Sequence, residues 1–114
     1  MIIYLDNKPL GRFEKLPDHY IWLELYDNKG TYGYVGVEII SIWASIHTEI
    51  TRWNHKVVRS LINDWKEIKS ICRREGATQA IASNNDLQDD RWPKFIGLFG
   101  FPEPHIILIS KQEL

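Results

Sequence analysis

The stretch "SIWASIHTEITRWNHKVVRSL", residues 41–61, contains a change of period, and the fold follows from where that change falls. Up to Ile50 the pattern alternates. Ile42, Ala44, Ile46, Thr48 and Ile50 share one face and Trp43, Ser45, His47 and Glu49 the other, as in a strand covered on one side. From Asn54 to Glu75 the spacing becomes helical. Val57, Val58, Leu61, Ile62, Trp65, Ile68 and Cys72 form one apolar stripe, and Lys56, Arg59, Asn63, Lys66, Lys69 and Arg73 lie mostly off it. Thr51 or Asn54 can cap the start. Arg73 and Arg74 suit the negative end of the helix dipole, and Gly76 suits the left-handed residue that ends a helix. A strand therefore runs into a long helix at the middle of the chain, and the seam carries His47, Glu49, Arg52 and His55.

Upstream, "MIIYL" (1–5) and "LGRF" (10–13) lie around the turn signal "DNKP", which suggests a first hairpin. "YIWLELYD" (20–27) and "TYGYVGVEI" (31–39) flank "DNKG", whose Asn28 and Gly30 can supply positive-φ positions for a second. Between Ile39 and Ile42 no turn residue marks a boundary. Downstream, "TQAIAS" (78–83) predicts a short buried strand and "NNDLQDD" (84–90) a polar loop. "RWPKFIGLF" (91–99) predicts a short helix with Pro93 in its first turn and Gly100 at its end, and "PHIILIS" (104–110) a closing strand. The closing strand is core if central, and a pairing surface for another chain if it lies at an edge. The expectation is one domain over residues 1–114, of α+β or α/β class. Its sheet is mixed and mostly antiparallel, with one long and one short helix, and its βαβαβ end is paired in parallel.

Composition narrows the function classes. A formal net charge of −1 gives no electrostatic footprint for nucleic acid or an anionic membrane. The basic residues around the long helix are interleaved with Asp64, Glu67 and Glu75, as on a solvated face. No apolar run reaches the roughly 18 to 20 residues of a membrane-spanning helix. The start "MIIYLDNKP" has neither a basic leader nor a small-residue cleavage site. The single Cys72 fits a reducing compartment. It sits on the apolar stripe near the helix C-terminus, where a thiol is a core hydrophobe rather than a nucleophile. Five Trp, five Tyr and four Phe suit a small core, and also an interface.

With this order of elements the C-terminal half, residues 41–110, resembles the GNAT superfamily of N-acetyltransferases. "KFIGLFGF" (94–101) is similar to the family's short helix ending in Gly-Phe, and "EGATQAIASNND" (75–86) to its helix–strand–Asn passage. The first 40 residues match the family's early strands only loosely. The resemblance implies acetyl-CoA as cofactor, held by an Arg/Gln-x-x-Gly-x-Gly/Ala turn at the strand–helix seam. There, glycines let the backbone approach a pyrophosphate at the helix N-terminus. Arg52 matches the first position, but His55 and Val57 stand where the glycines belong, which leaves Arg52, Asn54 and His55 as a degenerate cofactor-binding set. The family's Tyr acid, four residues before Gly100, is replaced by Ile96. Glu49 or His47 could act as general base on the strand.

The resemblance in this eroded form implies a non-catalytic structural or interaction protein with no cofactor. It is expected to be phage-encoded, in host cytoplasm or virion, with other chains of an assembly or a second copy as partners. The alternative is a divergent acetyl-CoA-dependent N-acetyltransferase. A metal site would need His47, Glu49 and His55 to converge with His19 or His105, and the spacing holds no local ligand motif, so none is expected.

Overall fold

The computed structural model describes residues 1–84 and 109–113. Its elements are β1 (Ile2–Leu5), β2 (Ile21–Asp27), β3 (Gly30–Ile40), β4 (Trp43–Ile50), α1 (His55–Arg74), β5 (Gln79–Asn84) and β6 (Ile109–Glu113). The strands form one sheet in the order β1-β2-β3-β4-β5-β6. Four neighbouring pairs are antiparallel, and β4–β5 alone is parallel, because the chain returns through α1 between them. The fold is therefore a mixed, mostly antiparallel sheet packed against a long helix. The expected short helix over 91–99, with Ile96 and Gly100, lies outside the described residues, as do the loop over 85–90 and His105.

The helix forms where the periodicity predicts. Asn54 is the N-cap, and its side chain accepts the Val57 N–H at 2.9 Å. At the other end Gly76 takes φ +98°, its N–H bonds Arg73 O at 3.0 Å, and the Ala77 N–H reaches Cys72 O at 3.0 Å. That pair of bonds is a Schellman closure, which satisfies carbonyls the helix leaves open. Val57, Leu61, Trp65, Ile68, Ile71 and Cys72 pack onto Leu23, Leu25, Val35, Val37, Ala44, Ile46, Ala80 and Ala82, and Val58 and Ile62 fall to its margin. Burial raises the Cys72 thiol to about 11, which keeps it protonated and inert.

Several expectations need correction. "LGRF" does not pair with "MIIYL": β1 pairs with β2, Ile2 opposite Leu25 and Leu5 opposite Trp22. Gly11 (φ +73°) and Phe13 (φ +54°) are left-handed, which no strand tolerates, so residues 6–20 form a long connection. In the "DNKG" turn only Gly30 has positive φ. Asn28 does not, because the Asp27 carboxylate takes the Lys29 N–H at 2.9 Å and shapes the turn instead. β3 and β4 are joined by Ser41 and Ile42, with Ser41 at φ +55° doing the work usually given to glycine. The βαβαβ end is not parallel throughout. β6 runs antiparallel to β5, Ala80 opposite Gln112, as end strands of such sheets often do. β6 covers Ile109–Glu113, so the expected strand over 104–110 coincides with it only at Ile109 and Ser110 and otherwise lies outside the described residues. β6 is the last strand of the described sheet.

Asp64 is not part of a solvated face. It is 5% exposed and accepts from the Tyr32 hydroxyl and, at 2.9 Å, from the Met1 amino group. No described helix is long and apolar enough to cross a membrane.

Candidate functional site

The outer face of the sheet, opposite α1, carries the candidate residues. Strand alternation puts Trp22 and Glu24 of β2, Tyr34, Gly36 and Glu38 of β3, and Trp43, Ser45, His47 and Glu49 of β4 on that side. The connection 6–20 lies across it. Phe13 packs on Trp22 at 5.4 Å between ring centroids, and Tyr20 stacks on the same indole at 5.4 Å. The Trp22 Nε1–H donates to Asp18 O at 3.1 Å, which fixes the end of the connection.

His47 sits beside this aromatic stack, 5.6 Å from the Tyr20 ring, with Nε2 and the Ser45 hydroxyl 3.1 Å apart. Burial lowers its pKa, against a smaller opposing pull from Glu38. Glu38 is shared: it bonds His19 Nε2, and together with burial it raises the Tyr20 hydroxyl above the usual range. The sign follows from the burial of His47. Below the ordinary value of 6.5 the unfolded chain takes a proton there that the folded chain resists, so stability is lost as pH falls through that value. A His47→Gln variant is expected to have a flatter acid limb than wild type in urea midpoints measured from pH 7.5 to 5.

Glu49 is directly opposite Tyr34 in the β3–β4 register. Its carboxylate accepts from Arg12 Nη1, and the Arg12 guanidinium lies over the Tyr34 ring, 4.8 Å from its centroid. An open cleft of about 380 Å³ adjoins the pair, lined by Gly11, Arg12, Phe13, Glu14, Leu16 and Glu49 among others.

The seam itself is stitched to the β2–β3 turn. Thr51 N–H bonds Tyr32 O at 2.9 Å. Arg52 donates to both Asp27 oxygens, at 2.7 and 3.2 Å, and to Gly30 O at 3.2 Å. Those Arg52 bonds, with the Lys29 N–H, hold the Asp27 carboxyl below the usual carboxylate range. Asn54 caps the helix, His55 is exposed on its first turn, and Val57 is wholly buried. The described residues of the seam thus do not fit a pyrophosphate as the family holds one. A glycine-lined approach is missing, and the nearby guanidinium is already paired with a carboxylate.

His47 and Glu49 share a face but have different neighbours, and His55 is not brought to them. Among the described residues no group of three or more His, Cys, Asp or Glu is placed to hold a metal ion. Arg12, Tyr34, Glu38 and Ser45 complete the two clusters. Of these, Ser45 was legible on the face it shares with His47 and Glu49, and aligning the strands on either side of residues 41–42 puts Tyr34 opposite Glu49 and Glu38 opposite Ser45. Arg12 is 37 positions from its carboxylate, and no local pattern joins them.

No protein-family model matches the sequence, and no curated protein does. Among solved structures it is similar to that of PaiA N-acetyltransferase from Thermoplasma acidophilum in complex with coenzyme A, with a TM-score of 0.62 and 17% identity. The match covers 83% of this chain and 61% of that one, so the chain spans about three fifths of its neighbour's length. Identity that low speaks to architecture alone, and on that footing the chain has the fold of the GNAT N-acetyltransferases.

Proposed function

We propose that this domain is a GNAT-fold binding module, contacting other protein chains of an assembly or a second copy of itself, rather than an acyltransferase. One observation carries the reading: two of the three seam residues that a coenzyme would use, Arg52 and Asn54, are committed to the fold. His55 is left exposed, and Val57 fills a position the family gives to glycine. Arg52 is clamped to Asp27 and Gly30, Asn54 caps α1, and Val57 is fully buried in the core. A phosphate would have to break the first, uncap the second and displace the third. A phage-encoded origin and a place in a virion belong to the same reading.

Calorimetry or thermal unfolding with acetyl-CoA tests it. A ligand at a hundred times its Kd stabilises by about 2.7 kcal/mol, and in a domain of this size that raises Tm by about 10 °C or more. The module reading expects no shift beyond about 1 °C with millimolar acetyl-CoA. A shift of the full size would sink it. The second reading, a divergent N-acetyltransferase with Glu49 or His47 as base, is favoured by the coenzyme A held by the PaiA neighbour. Acetyl transfer to an amine, lost in Glu49→Gln or His47→Gln with the fold intact, would establish it.

A further inference from the structure

We infer that Glu49 and Tyr34 form a receptor for a guanidinium group, filled in this chain by its own Arg12 and open to a competing guanidinium-bearing ligand. The two halves of the contact are built differently. The receptor is rigid: Glu49 and Tyr34 are a direct cross-strand pair on β4 and β3, two interior strands of the sheet. The occupant is carried on the irregular connection 6–20, between Gly11 and Phe13, both left-handed.

The chemistry of the receptor selects its ligand. A carboxylate at the edge and an aromatic face beneath suit a planar cation that can donate in its plane while stacking. Arg12 does both at once: Nη1 donates to Glu49 Oε1, and Cζ lies 4.8 Å from the Tyr34 centroid. An ammonium is a compact, more strongly hydrated charge and gains less from the ring.

Three features make the resident replaceable. First, the Arg12 and Glu49 side chains are 32% and 24% exposed, so solvent and ligand reach the pair. Second, the adjoining cleft of about 380 Å³ has room for the atoms that would carry an incoming guanidinium. Third, the connection is held without Arg12. Phe13 is buried against Trp22, and Lys8 bonds Leu16 O at 2.7 Å and Asp18 at 3.2 Å. Arg12 can therefore swing out while its neighbours stay. Tethering gives it a high effective concentration, so it acts as a guard that a ligand of the same chemistry must outcompete. The inference deepens the binding-module reading by naming the chemistry such a module would take, and it rests on that reading for its use. Acetyl-CoA stabilisation would overturn the module reading without touching the measurement below.

The test is a titration followed by amide chemical shifts or calorimetry. The probes are N-acetyl-L-arginine N-methylamide, free L-arginine, and N-acetyl-L-lysine N-methylamide. Arg12→Gly is expected to bind the blocked arginine at least about tenfold more tightly than wild type, since the tethered competitor is gone. Adding Glu49→Gln or Tyr34→Leu to that variant should weaken binding by about fivefold or more. Blocked arginine binding as well as or better than the free amino acid marks an arginine side chain on another protein. The reverse order marks a free guanidinium compound, and either supports the receptor. No gain in Arg12→Gly, equal binding of the lysine probe, or indifference to Glu49→Gln would overturn it. Should Arg12→Gly not fold, Arg12→Lys carries the same comparison, with a smaller gain expected and the absence of any gain decisive against.

Discussion

Replacing Asp64 by alanine is expected to destabilise the domain by about 3 kcal/mol, lowering the urea midpoint by about 2 M at neutral pH. The carboxylate is 5% exposed and accepts from the hydroxyl of Tyr32, which is itself fully buried. Truncation leaves that hydroxyl without its acceptor in a dry interior, and the desolvation cost is then felt in full. Asp64→Asn keeps an acceptor and is expected to lose only about 1 kcal/mol. An equal loss in the two variants would show that the bond with Tyr32 is not what matters.

The same pair sets the alkaline limit. Burial first, and then the Asp64 bond, push the Tyr32 hydroxyl far above its ordinary 10.0. The unfolded chain ionises at that ordinary value and the folded chain does not, so stability falls as pH rises above 10.0. Tyr32→Phe should remove that part of the slope.

Asp64 also shows what the sequence could not disclose. Its helical position lies among charged residues, and its partner comes from β3, 32 positions earlier. Side-chain periodicity reports which face of an element is apolar, and it reports well here. The stripe of α1, the alternation of β4 and the β2–β3 hairpin were all legible, because each depends on neighbours within a few residues. The β1–β2 pairing was not, since the 15 residues between Leu5 and Ile21 hide it and a nearer apolar run offered a false partner. The candidate site divides along the same line. His47 and Glu49 were legible as polar residues on one strand face. The Arg12–Glu49 and Arg52–Asp27 pairs depend on tertiary contacts over 37 and 25 positions and left no local trace.

Gly36→Ala is expected to cost about 2 kcal/mol and to loosen the connection 6–20. Gly36 faces Trp22 across β2 and β3, and an added Cβ would lie 2.5 Å from Trp22 Cζ3 and 3.0 Å from Cε3. The indole has nowhere easy to go. Phe13 and Tyr20 pack against it, and its Nε1–H is held by Asp18 O. Relief requires moving this whole stack, which should appear as a red shift of tryptophan fluorescence together with a lower urea midpoint. Gly11→Ala makes a useful contrast, because nothing lies within 4 Å of its added Cβ and only the left-handed φ of +73° is penalised. It should therefore leave the Trp22 environment unchanged. A Gly36→Ala spectrum indistinguishable from wild type would mean the indole accommodates the methyl without disturbing its neighbours.

The parallel join of β4 to β5 bears on the order in which the chain folds. β2, β3 and β4 are successive strands linked by tight turns, so each pairing closes a short loop at little entropic cost. β5 can find β4 only after the whole of α1 has been laid between them. The three-strand meander is thus the natural nucleus, and the helix docks on a surface already formed. During synthesis the meander and α1 emerge before β5, so the edge of β4 that β5 will occupy is exposed meanwhile. For that interval β4 offers an unpaired strand edge to any neighbouring chain.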